Sequence, residues 1–415
     1  MKRYGCIGKT LKHSFSKEIH ALLADYEYEL IELDEREIDG FFKKRDFAAI
    51  NVTIPYKRTV MAYMDEVSAI AWRIGAVNTI VNREGRLCGY NTDYYGMKAL
   101  IERVGVDMAG KKVLVLGTGG TSRTARVVAE DMGAAQVLTV SRSEKPGSIT
   151  YEAAILRHSD AQVIINTTPS GMYPDCDECP IEVEDFPQLV GVIDAVYNPL
   201  RTNLVLDAQE RGIPAEGGLY MLVMQAVYAV EHFLDVKIPK ATADAVFAKI
   251  HASKENIVLT GMPGCGKSTV GNLIEAEGLD FMDTDALIVS GCGREIKHII
   301  EEKGIAYFRD LESDVVHAAS MKSGLILSTG GGAILREENV RCLKRNGRLY
   351  FLNASLKRLK ATDDRPLSDT DEKLAKLYGE RMGIYTETAD VIVPEMDTPE
   401  QEAAYILQKR RELIK

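Results

Sequence analysis

The sequence predicts an α/β protein built in two parts. The first has two lobes, one of them a dinucleotide-binding type of domain, and the second has a parallel sheet with helices on both faces. Two glycine-rich loops of different type carry this prediction, one at residues 117–122 and one at 261–268. Each loop follows a short apolar run and precedes a segment of helical spacing, which is the strand–turn–helix pattern of a nucleotide-binding unit. Short β-branched runs also alternate with polar helical segments along most of the 415 residues, as in chains of βαβ units. A chain of this length holds two or three domains.

Residues 1–104 are expected to form a separate lobe, because strands and helices alternate there without a glycine fingerprint. The expected strands are Tyr4–Gly8, Glu29–Glu32 and Ala49–Ile54. Polar clusters follow strands in this lobe, and they contain Lys57 in NVTIPYK and Asp93 in NTDYYG. We expect these two side chains to form an ion pair in a cleft that moves a proton to a developing alkoxide. A solvated Lys57 and a helix-capping Asp93 are the simpler alternatives.

Residues 105–217 predict a Rossmann-type dinucleotide-binding domain. The apolar run Lys112–Leu116 leads into the loop GTGGTS, a helical pattern over Arg123–Met132 follows, and QVLTVS predicts the next strand. An acidic residue at the end of that second strand would bind a ribose hydroxyl, whereas this sequence has Arg142 there. A guanidinium pairs with a 2′-phosphate, so the sequence favours NADP over NAD. A structural tight turn at the glycines and a solvated Arg142 are the alternatives.

After the dinucleotide-binding domain, the sequence pattern predicts return helices, a linker and a further domain. GGLYMLVMQAVYAVEHFL has the spacing of a helix, and the helices of 218–250 are expected to return to the first lobe. Residues 236–253, rich in Ala and Lys, are expected to be a linker with some helical character. Residues 254–415 predict one compact domain, in which polar helices alternate with the strands NIVLT, LDFMD, GLILS, GRLYFLN and ADVIVP.

The loop Gly261–Ser268 matches the pattern GxxxxGK[ST], and here it follows a strand and opens a helix. In this arrangement backbone amides cradle phosphates, Lys267 reaches the outer phosphates and the Ser268 hydroxyl binds Mg²⁺. Asp283 and Asp285 follow the strand LDFMD and so reach the same sheet edge. We expect one carboxylate to orient hydrated Mg²⁺ and the other to accept a hydroxyl proton. A cap on the next helix, by Thr284 or Asp285, is the alternative.

Residues 1–250 contain, in this order, HSFS, NVTIPYK, GAVNT, NTD, GTGGTSR, SRS, NTTPSGM, DAVYNP and GGLYMLVMQA. This series resembles shikimate dehydrogenase, and it implies a two-lobed dehydrogenase in which Lys57 and Asp93 are the catalytic pair. The substrate contacts that the resemblance implies are Ser14, Ser16, Asn51, Thr53, Asn78, Tyr197, Gly218 and Gln225. The NADP contacts that it implies are Gly117, Gly119, Gly120, Ser122, Ser141, Arg142 and Asn166.

Residues 254–415 contain, in this order, GMPGCGKST, DTD, FRDLE, TGGG, RPL and ERMGIYTETAD. This series resembles shikimate kinase, which implies a P-loop kinase fold and MgATP as the phosphoryl donor. The ATP contacts that the resemblance implies are Gly264, Cys265, Gly266, Lys267, Ser268, Thr269 and, on a lid, Arg365. The shikimate contacts that it implies are Asp285, which is also the catalytic base, Arg309, Gly331 and Arg381. The residues implied to hold the metal are Ser268 and Asp283.

Together the two resemblances imply a bifunctional enzyme of aromatic amino-acid biosynthesis, on the route to chorismate. The first site would reduce the C3 carbonyl of 3-dehydroshikimate with NADPH, and the second would phosphorylate the resulting 3-hydroxyl of shikimate. Two alternatives stay open: a quinate or shikimate dehydrogenase that prefers NAD and is fused to a kinase, and a shikimate-sensing regulator with disabled sites. The side chains at 57, 93, 267, 268 and 285 are all chemically competent, which argues against the regulator.

The composition limits which ligands and which cellular location we expect for this protein. Lys and Arg number 51 against 61 Asp and Glu, and the net charge of −10 argues against binding to a nucleic-acid phosphate backbone. The sequence predicts neither a signal peptide nor a membrane span. The 7 cysteines are scattered, which suits a reducing compartment. We therefore expect a cytoplasmic protein whose ligands are small molecules.

Overall fold

The computed structural model describes residues 3–11, 15–276, 278–360 and 369–414. The chain divides into two compact units, residues 1–250 and 251–415. No helix among the described residues is long and apolar enough to cross a membrane.

The first unit opens with a six-stranded mixed sheet. Its strands are β1 (Tyr4–Gly8), β2 (Tyr28–Glu32), β3 (Ala49–Val52), β4 (Glu66–Val67), β5 (Thr79–Arg83) and β6 (Arg86–Tyr90). Its helices are α1 (Ser16–Leu23), α2 (Glu35–Lys44), α3 (Ala69–Ile74) and α4 (Asp93–Val104), with a 3₁₀ helix at Thr59–Tyr63. The strand order is β2-β1-β3-β5-β6-β4. The third strand ends at Val52 rather than at the predicted Ile54, and Pro55 has no N–H with which to extend the ladder.

The second sheet of this unit has six strands, all parallel. They are β7 (Lys112–Leu116), β8 (Gln136–Ser141), β9 (Ser148–Thr150), β10 (Val163–Asn166), β11 (Gly191–Asp194) and β12 (Ala215–Glu216). The helices are α5 (Gly120–Asp131), α6 (Tyr151–His158) and α7 (Asn203–Glu210), with a 3₁₀ helix at Val183–Asp185. The order β9-β8-β7-β10-β11-β12 is that of a Rossmann sheet, so a crevice opens where β7 lies between β8 and β10. The loop 117–122 lies at this switch point.

Two helices follow, α8 (Leu219–Leu234) and α9 (Lys240–Lys254), and the first unit ends within α9 at Ile250. The segment 236–253, predicted as a linker with some helical character, is mostly the helix α9. Its apolar residues recur at helical spacing, and Ala243, Val246, Phe247 and Ile250 are buried in the same apolar cluster as the inner face of α8. The Ala- and Lys-rich composition of the segment concealed this apolar face.

The second unit has one parallel sheet of five strands. They are β13 (Asn256–Thr260), β14 (Asp280–Asp283), β15 (Leu325–Ser328), β16 (Gly347–Asn353) and β17 (Val391–Pro394). The helices are α10 (Lys267–Glu275), α11 (Thr284–Cys292), α12 (Ile296–Lys303), α13 (Ile305–Ser320), α14 (Glu337–Asn346), α15 (Asp371–Thr388) and α16 (Pro399–Leu413), with a 3₁₀ helix at Ala333–Leu335. In the order β14-β15-β13-β16-β17 the central strand is β13. The loop 261–268 therefore starts at the middle of the sheet edge, beside the loops that follow β14 and β15.

Candidate active sites

Lys57 and Asp93 form a short ion pair in the first unit. Lys57 Nζ donates to Asp93 Oδ2 at 2.6 Å, and the side chains are 21% and 11% exposed. Lys57 follows β3, while Asp93 is the first residue of α4. The structure therefore brings together the two side chains that the sequence predicts as a pair. Because the pair is enclosed but not sealed from solvent, its ammonium group can exchange a proton with a bound ligand.

Asn78 fixes the position of the Asp93 carboxylate. Asn78 Nδ2 donates to Asp93 Oδ1 at 2.9 Å and to Thr92 Oγ1 at 3.0 Å, while Asn78 Oδ1 accepts from the Thr92 amide at 2.7 Å. Asn78 is itself buried. Both of its amide protons are used inside the protein, so this residue orients Asp93, and its contact with substrate stays a prediction.

The side chain of Asn51, on β3, is also buried. Asn51 Nδ2 donates to the Asn78 carbonyl at 3.3 Å and to Thr79 Oγ1 at 3.1 Å, and Asn51 Oδ1 accepts from the Tyr28 hydroxyl at 2.7 Å. The carboxamide oxygen has a second lone pair. The contact of Asn51 with substrate stays a prediction.

The other predicted substrate contacts are spread over several elements. Ser14 lies outside the described residues, Ser16 is the first residue of α1, and Thr53 directly follows β3. Tyr197 is half-buried and meets the Phe15 ring edge-on, with 5.3 Å between centroids. Gln225 lies on α8, where its Nε2 donates to the Leu222 carbonyl at 3.0 Å. Burial raises the pKa of Tyr197, so its hydroxyl, like that of an ordinary tyrosine, is protonated at neutral pH.

The loop after β7 forms an open cradle at the start of α5. Gly117 has φ +104°, and a Cβ built there would lie 3.0 Å from Thr167 Oγ1. At Gly119 and Gly120, by contrast, a Cβ would have no atom within 4 Å. Ser122 Oγ donates to the Gly117 carbonyl at 2.6 Å and so holds the turn. Free space above a helix N-terminus with exposed amides fits the pyrophosphate of a dinucleotide.

Two cationic side chains lie near the end of β8. Arg142 is exposed and follows the buried Ser141. Lys145 Nζ donates to Thr118 Oγ1 at 3.1 Å and is thereby tied to the glycine loop. A guanidinium and an ammonium beside the ribose end of the crevice suit the 2′-phosphate of NADP.

Asp194, at the end of β11, is a fully buried carboxylate that the sequence did not single out. It accepts from Asn166 Nδ2 at 3.0 Å, from the Val196 amide at 2.9 Å and from Thr202 Oγ1 at 2.7 Å. The following turn packs tightly, since a Cβ on Gly218 would overlap the carbonyl of Ala195. Asp194 therefore orients the predicted cofactor contact Asn166 and anchors the loop that carries Tyr197. Its place at the end of the strand GVID was the available sequence signal.

The buried Asp194 carboxyl is expected to make stability depend on pH. Burial raises the pKa of Asp194 from 3.8 to about 6, so the folded protein keeps a proton that the unfolded chain has lost. The contribution of Asp194 to stability is then full below about pH 4 and falls as pH rises to about 6. We compare the free energy of unfolding of wild type with that of Asp194→Asn. The difference, wild type minus variant, should fall by roughly 1–3 kcal/mol between about pH 4 and about pH 6. Urea titrations read by hydrogen exchange of peptides from β10 and β11 measure it, and a difference that does not vary with pH would contradict the expectation.

In the second unit the loop after β13 has the shape of a phosphate cradle. Gly261, Gly264 and Gly266 have φ of +143°, +83° and +97°, which turns successive backbone amides toward the N-terminus of α10. Lys267 Nζ donates to the carbonyls of Gly261 at 2.9 Å and Met262 at 3.2 Å, so it lies folded over the loop. This geometry fits the phosphates of a nucleotide.

The Asp283 carboxylate, at the end of β14, accepts hydrogen bonds from three residues. Its Oδ1 accepts from the amides of Asp285 at 3.0 Å and Ala286 at 3.2 Å, and it therefore caps α11. The cap is thus Asp283, and not Thr284 or Asp285. Asp283 Oδ2 accepts from Ser268 Oγ at 3.2 Å. A hydroxyl beside a carboxylate, at the entrance to a phosphate cradle, is a donor set that fits Mg²⁺.

Asp285 lines a cavity of 580 Å³, which is also lined by residues of the phosphate-cradling loop 261–268. Its Oδ1 is buried and has no hydrogen-bond partner among the described residues. Burial, and then the neighbouring Asp283 carboxylate, raise the pKa of Asp285 to about 6. A carboxylate with an unused oxygen and a raised pKa is suited to accept a proton from a hydroxyl group. The other predicted residues that line the cavity are Gly264, Gly266, Lys267, Ser268, Thr269, Asp283, Arg309, Gly331 and Arg381.

Two arginines line the part of this cavity that is predicted to bind the phosphoryl acceptor. Arg309 is 13% exposed and donates from Nη1 to Oε2 of Glu312, which is 1% exposed. Arg381 is buried and donates from Nη1 to the Gly331 carbonyl at 2.8 Å. Two oriented guanidinium groups fit a carboxylate ligand. Glu312 was missed by the sequence reasoning, although its i,i+3 spacing from Arg309 was a usable signal. Arg365 lies outside the described residues, and Cys265 is buried within its loop.

Gly332→Ala is expected to raise the KM for shikimate at least about tenfold, because the new Cβ would overlap the Arg309 guanidinium and one charge-assisted contact to a carboxylate is worth about this much. Gly379→Ala is the matched control, since a Cβ there meets no atom within 4 Å. Steady-state kinetics of both variants, with thermal melts, check the expectation. An unchanged KM in Gly332→Ala would remove Arg309 from the acceptor site.

Comparison with known proteins assigns the two units of the chain to two different families. The shikimate dehydrogenase substrate-binding domain profile matches residues 6–80, and the shikimate kinase profile matches residues 263–411. A shikimate dehydrogenase (NADP(+)) from Clostridium perfringens is 34% identical over 60% of this chain and 98% of its own length. One from Caldicellulosiruptor bescii is 36% identical over 57% of this chain and 90% of its own length.

Solved structures give the same result for the first unit. A chorismate mutase/shikimate 5-dehydrogenase fusion protein from Clostridium acetobutylicum matches with a TM-score of 0.56, at 33% identity over 60% of this chain and 97% of that one. Shikimate 5-dehydrogenase from Thermus thermophilus, in complex with NADP(H) and shikimate, matches with a TM-score of 0.54 at 29% identity over 59% and 98%.

Fold and sites together define a nucleotide-dependent oxidoreductase followed by a P-loop kinase. The chain belongs to the shikimate dehydrogenase family in its first unit and carries a shikimate kinase domain in its second. It is thus a bifunctional enzyme, with NADP(H), ATP and Mg²⁺ as the cofactors of its two families.

Proposed function

We propose that this chain catalyses two consecutive reactions. The first unit reduces the C3 carbonyl of 3-dehydroshikimate to the hydroxyl of shikimate, and the second phosphorylates that hydroxyl to give shikimate 3-phosphate. The observation that supports this most is the presence, in one chain, of a Lys57–Asp93 pair at 2.6 Å and of a phosphate cradle over an arginine-lined cavity. The first is suited to proton transfer to an alkoxide and the second to phosphorylation of a carboxylate-bearing alcohol.

In the first reaction the bound NADPH supplies a hydride to the carbonyl carbon. Lys57 Nζ donates a proton to the carbonyl oxygen as negative charge develops there, and Asp93 Oδ2 holds the ammonium in place. Asn78 keeps Asp93 from rotating by its bond to the other carboxylate oxygen. Asp194 keeps Asn166 and the turn after β11 in position beside the cofactor crevice.

In the second reaction bound MgATP supplies the phosphoryl group. Asp285 accepts the proton of the attacking hydroxyl through its unused oxygen, while Arg309 and Arg381 hold the acceptor's carboxylate. Lys267 moves from the loop carbonyls to the outer phosphates, and Ser268 and Asp283 hold the metal. Because both reactions involve the same oxygen atom, shikimate must leave the first site before the second can act on it.

The proposed division of labour follows from these sites. Residues 1–104, with the helices of 218–250, bind 3-dehydroshikimate; residues 105–217 bind NADP; and residues 254–415 form the kinase. The net charge of −10 leaves capture of these anionic ligands to local cations and backbone amides. Such ligands, and the scattered cysteines, support a cytoplasmic location.

One assay of the full chain tests the proposal. The protein is incubated with 3-dehydroshikimate, NADPH and MgATP, and NADPH absorbance and product mass are followed together. We expect NADPH loss and shikimate 3-phosphate, with shikimate accumulating when ATP is withheld. NADPH loss without phosphorylated product in the presence of ATP would contradict the kinase assignment. No NADPH loss, with NAD-dependent oxidation of quinate instead, would contradict the dehydrogenase assignment.

A further inference from the structure

Tyr385 connects the two loops that line the kinase cavity. It lies on α15, fully buried, with its ring stacked on Phe351 at 5.0 Å between centroids. Its hydroxyl is 2.9 Å from the carbonyl oxygen of Gly261, in the phosphate cradle, and 2.5 Å from the carbonyl oxygen of Gly331, in the loop after β15. One phenol therefore contacts both the nucleotide side and the acceptor side of the cavity.

Each of these carbonyls also accepts a hydrogen bond from a cation. Lys267 Nζ donates to the Gly261 carbonyl at 2.9 Å, and Arg381 Nη1 donates to the Gly331 carbonyl at 2.8 Å. In the proposed function Lys267 binds phosphates and Arg381 binds the acceptor's carboxylate. The Tyr385 hydroxyl therefore lies within hydrogen-bond distance of both carbonyls to which the two ligand-binding cations donate.

A phenol carries one proton, so Tyr385 donates to one of the two carbonyls at a time. In the present structure Lys267 already donates to the Gly261 carbonyl. The Tyr385 hydroxyl is closer to the Gly331 carbonyl, so it donates its hydrogen bond there. When Lys267 turns to the phosphates, the buried Gly261 carbonyl loses that donor. A buried carbonyl without a donor is costly, so the phenol proton then favours Gly261. The Gly331 carbonyl is left to Arg381, whose guanidinium it holds more firmly in the position that receives a carboxylate.

We propose that Tyr385 is a positioning residue that couples nucleotide binding to acceptor binding in the kinase unit. This inference rests on the kinase function proposed above. The Tyr385 hydroxyl has two alternative hydrogen-bond partners, the carbonyls of Gly261 and Gly331. Both ligands favour the hydrogen bond to Gly261. By linkage, nucleotide tightens acceptor binding and acceptor tightens nucleotide binding by the same factor. Exchange of one hydrogen bond corresponds to a factor of about three to ten.

Calorimetric titration of the full chain with shikimate, with and without MgADP, tests the coupling. For wild type we expect the dissociation constant of shikimate to fall about threefold to tenfold when MgADP is present. Tyr385→Phe keeps the ring and its stacking but removes the proton, so its ratio of the two constants should be close to one. The matched control is Tyr350→Phe, which removes a fully buried hydroxyl that has no partner among the described residues; its ratio should stay at the wild-type value.

A second variant tests the same mechanism without altering Tyr385. Lys267→Met takes the ammonium away from the Gly261 carbonyl, as nucleotide binding does. It should therefore bind shikimate without nucleotide about as tightly as wild type does with MgADP. A wild-type ratio of one, or an unchanged ratio in Tyr385→Phe, would overturn the proposal. Failure of the kinase assignment is distinguishable, because wild type would then form no shikimate 3-phosphate at all.

Discussion

Lys57→Ala is expected to lower the turnover number for reduction of 3-dehydroshikimate by about 10³-fold, the usual scale for losing a positioned general acid. The ammonium group is the donor nearest to Asp93, with 2.6 Å between Nζ and Oδ2, and alanine leaves no proton for the developing alkoxide. Phosphorylation of shikimate by the same chain should be unchanged. Coupled assays of NADPH loss and ADP formation on one preparation measure both activities.

Lys112→Ala is the matched control for this variant. Lys112 Nζ forms an equally close pair with Asp160 Oδ1, at 2.7 Å, and its side chain is 17% exposed, but it lies at the opposite end of β7 from the glycine loop. Reduction should survive this change. If Lys57→Ala abolished both activities, the effect would be on folding and not on proton transfer, whereas wild-type reduction by Lys57→Ala would remove Lys57 from the mechanism.

The sequence alone was enough to predict both glycine loops and their sheets, because the signals are local. A strand, a glycine turn and a helix lie within about 20 residues, and the physical reason for each glycine acts on its own backbone. The positive φ of Gly117 and Gly261 illustrates this. The pairing of Lys57 with Asp93 was also predictable, since both residues lie a few positions after strand-like runs and so reach one edge of the sheet.

The side chains that the sequence did not reveal are those whose partners are distant along the chain. Tyr385 contacts a carbonyl 124 residues away, and Asp194 accepts from Asn166, 28 residues away. Their chemistry depends on which loops the sheet order brings together, and strand order is not a local property. The extent of helix α9 was underestimated for a different reason, because its composition resembled a linker while the spacing of its apolar residues was that of a helix.

Lys267→Ala is expected to lower the turnover number for phosphorylation by about 10²–10³-fold, as removal of one preorganised charge at a developing oxyanion commonly does. Reduction of 3-dehydroshikimate should be unaffected. Lys409→Ala is the control in the same unit, since Lys409 pairs with Glu412 at 2.8 Å on the surface of α16, and it should leave phosphorylation unchanged.

Mixing the Lys57→Ala and Lys267→Ala proteins then tests whether the two sites work independently. Each variant keeps the activity that the other has lost, and shikimate released by one chain is free to diffuse to the next. The mixture, given 3-dehydroshikimate, NADPH and MgATP, should therefore form shikimate 3-phosphate after a lag during which free shikimate accumulates. Mass spectrometry of timed samples follows both products. A mixture that reduces 3-dehydroshikimate but never forms the phosphate would show that the kinase site accepts shikimate only from its own chain.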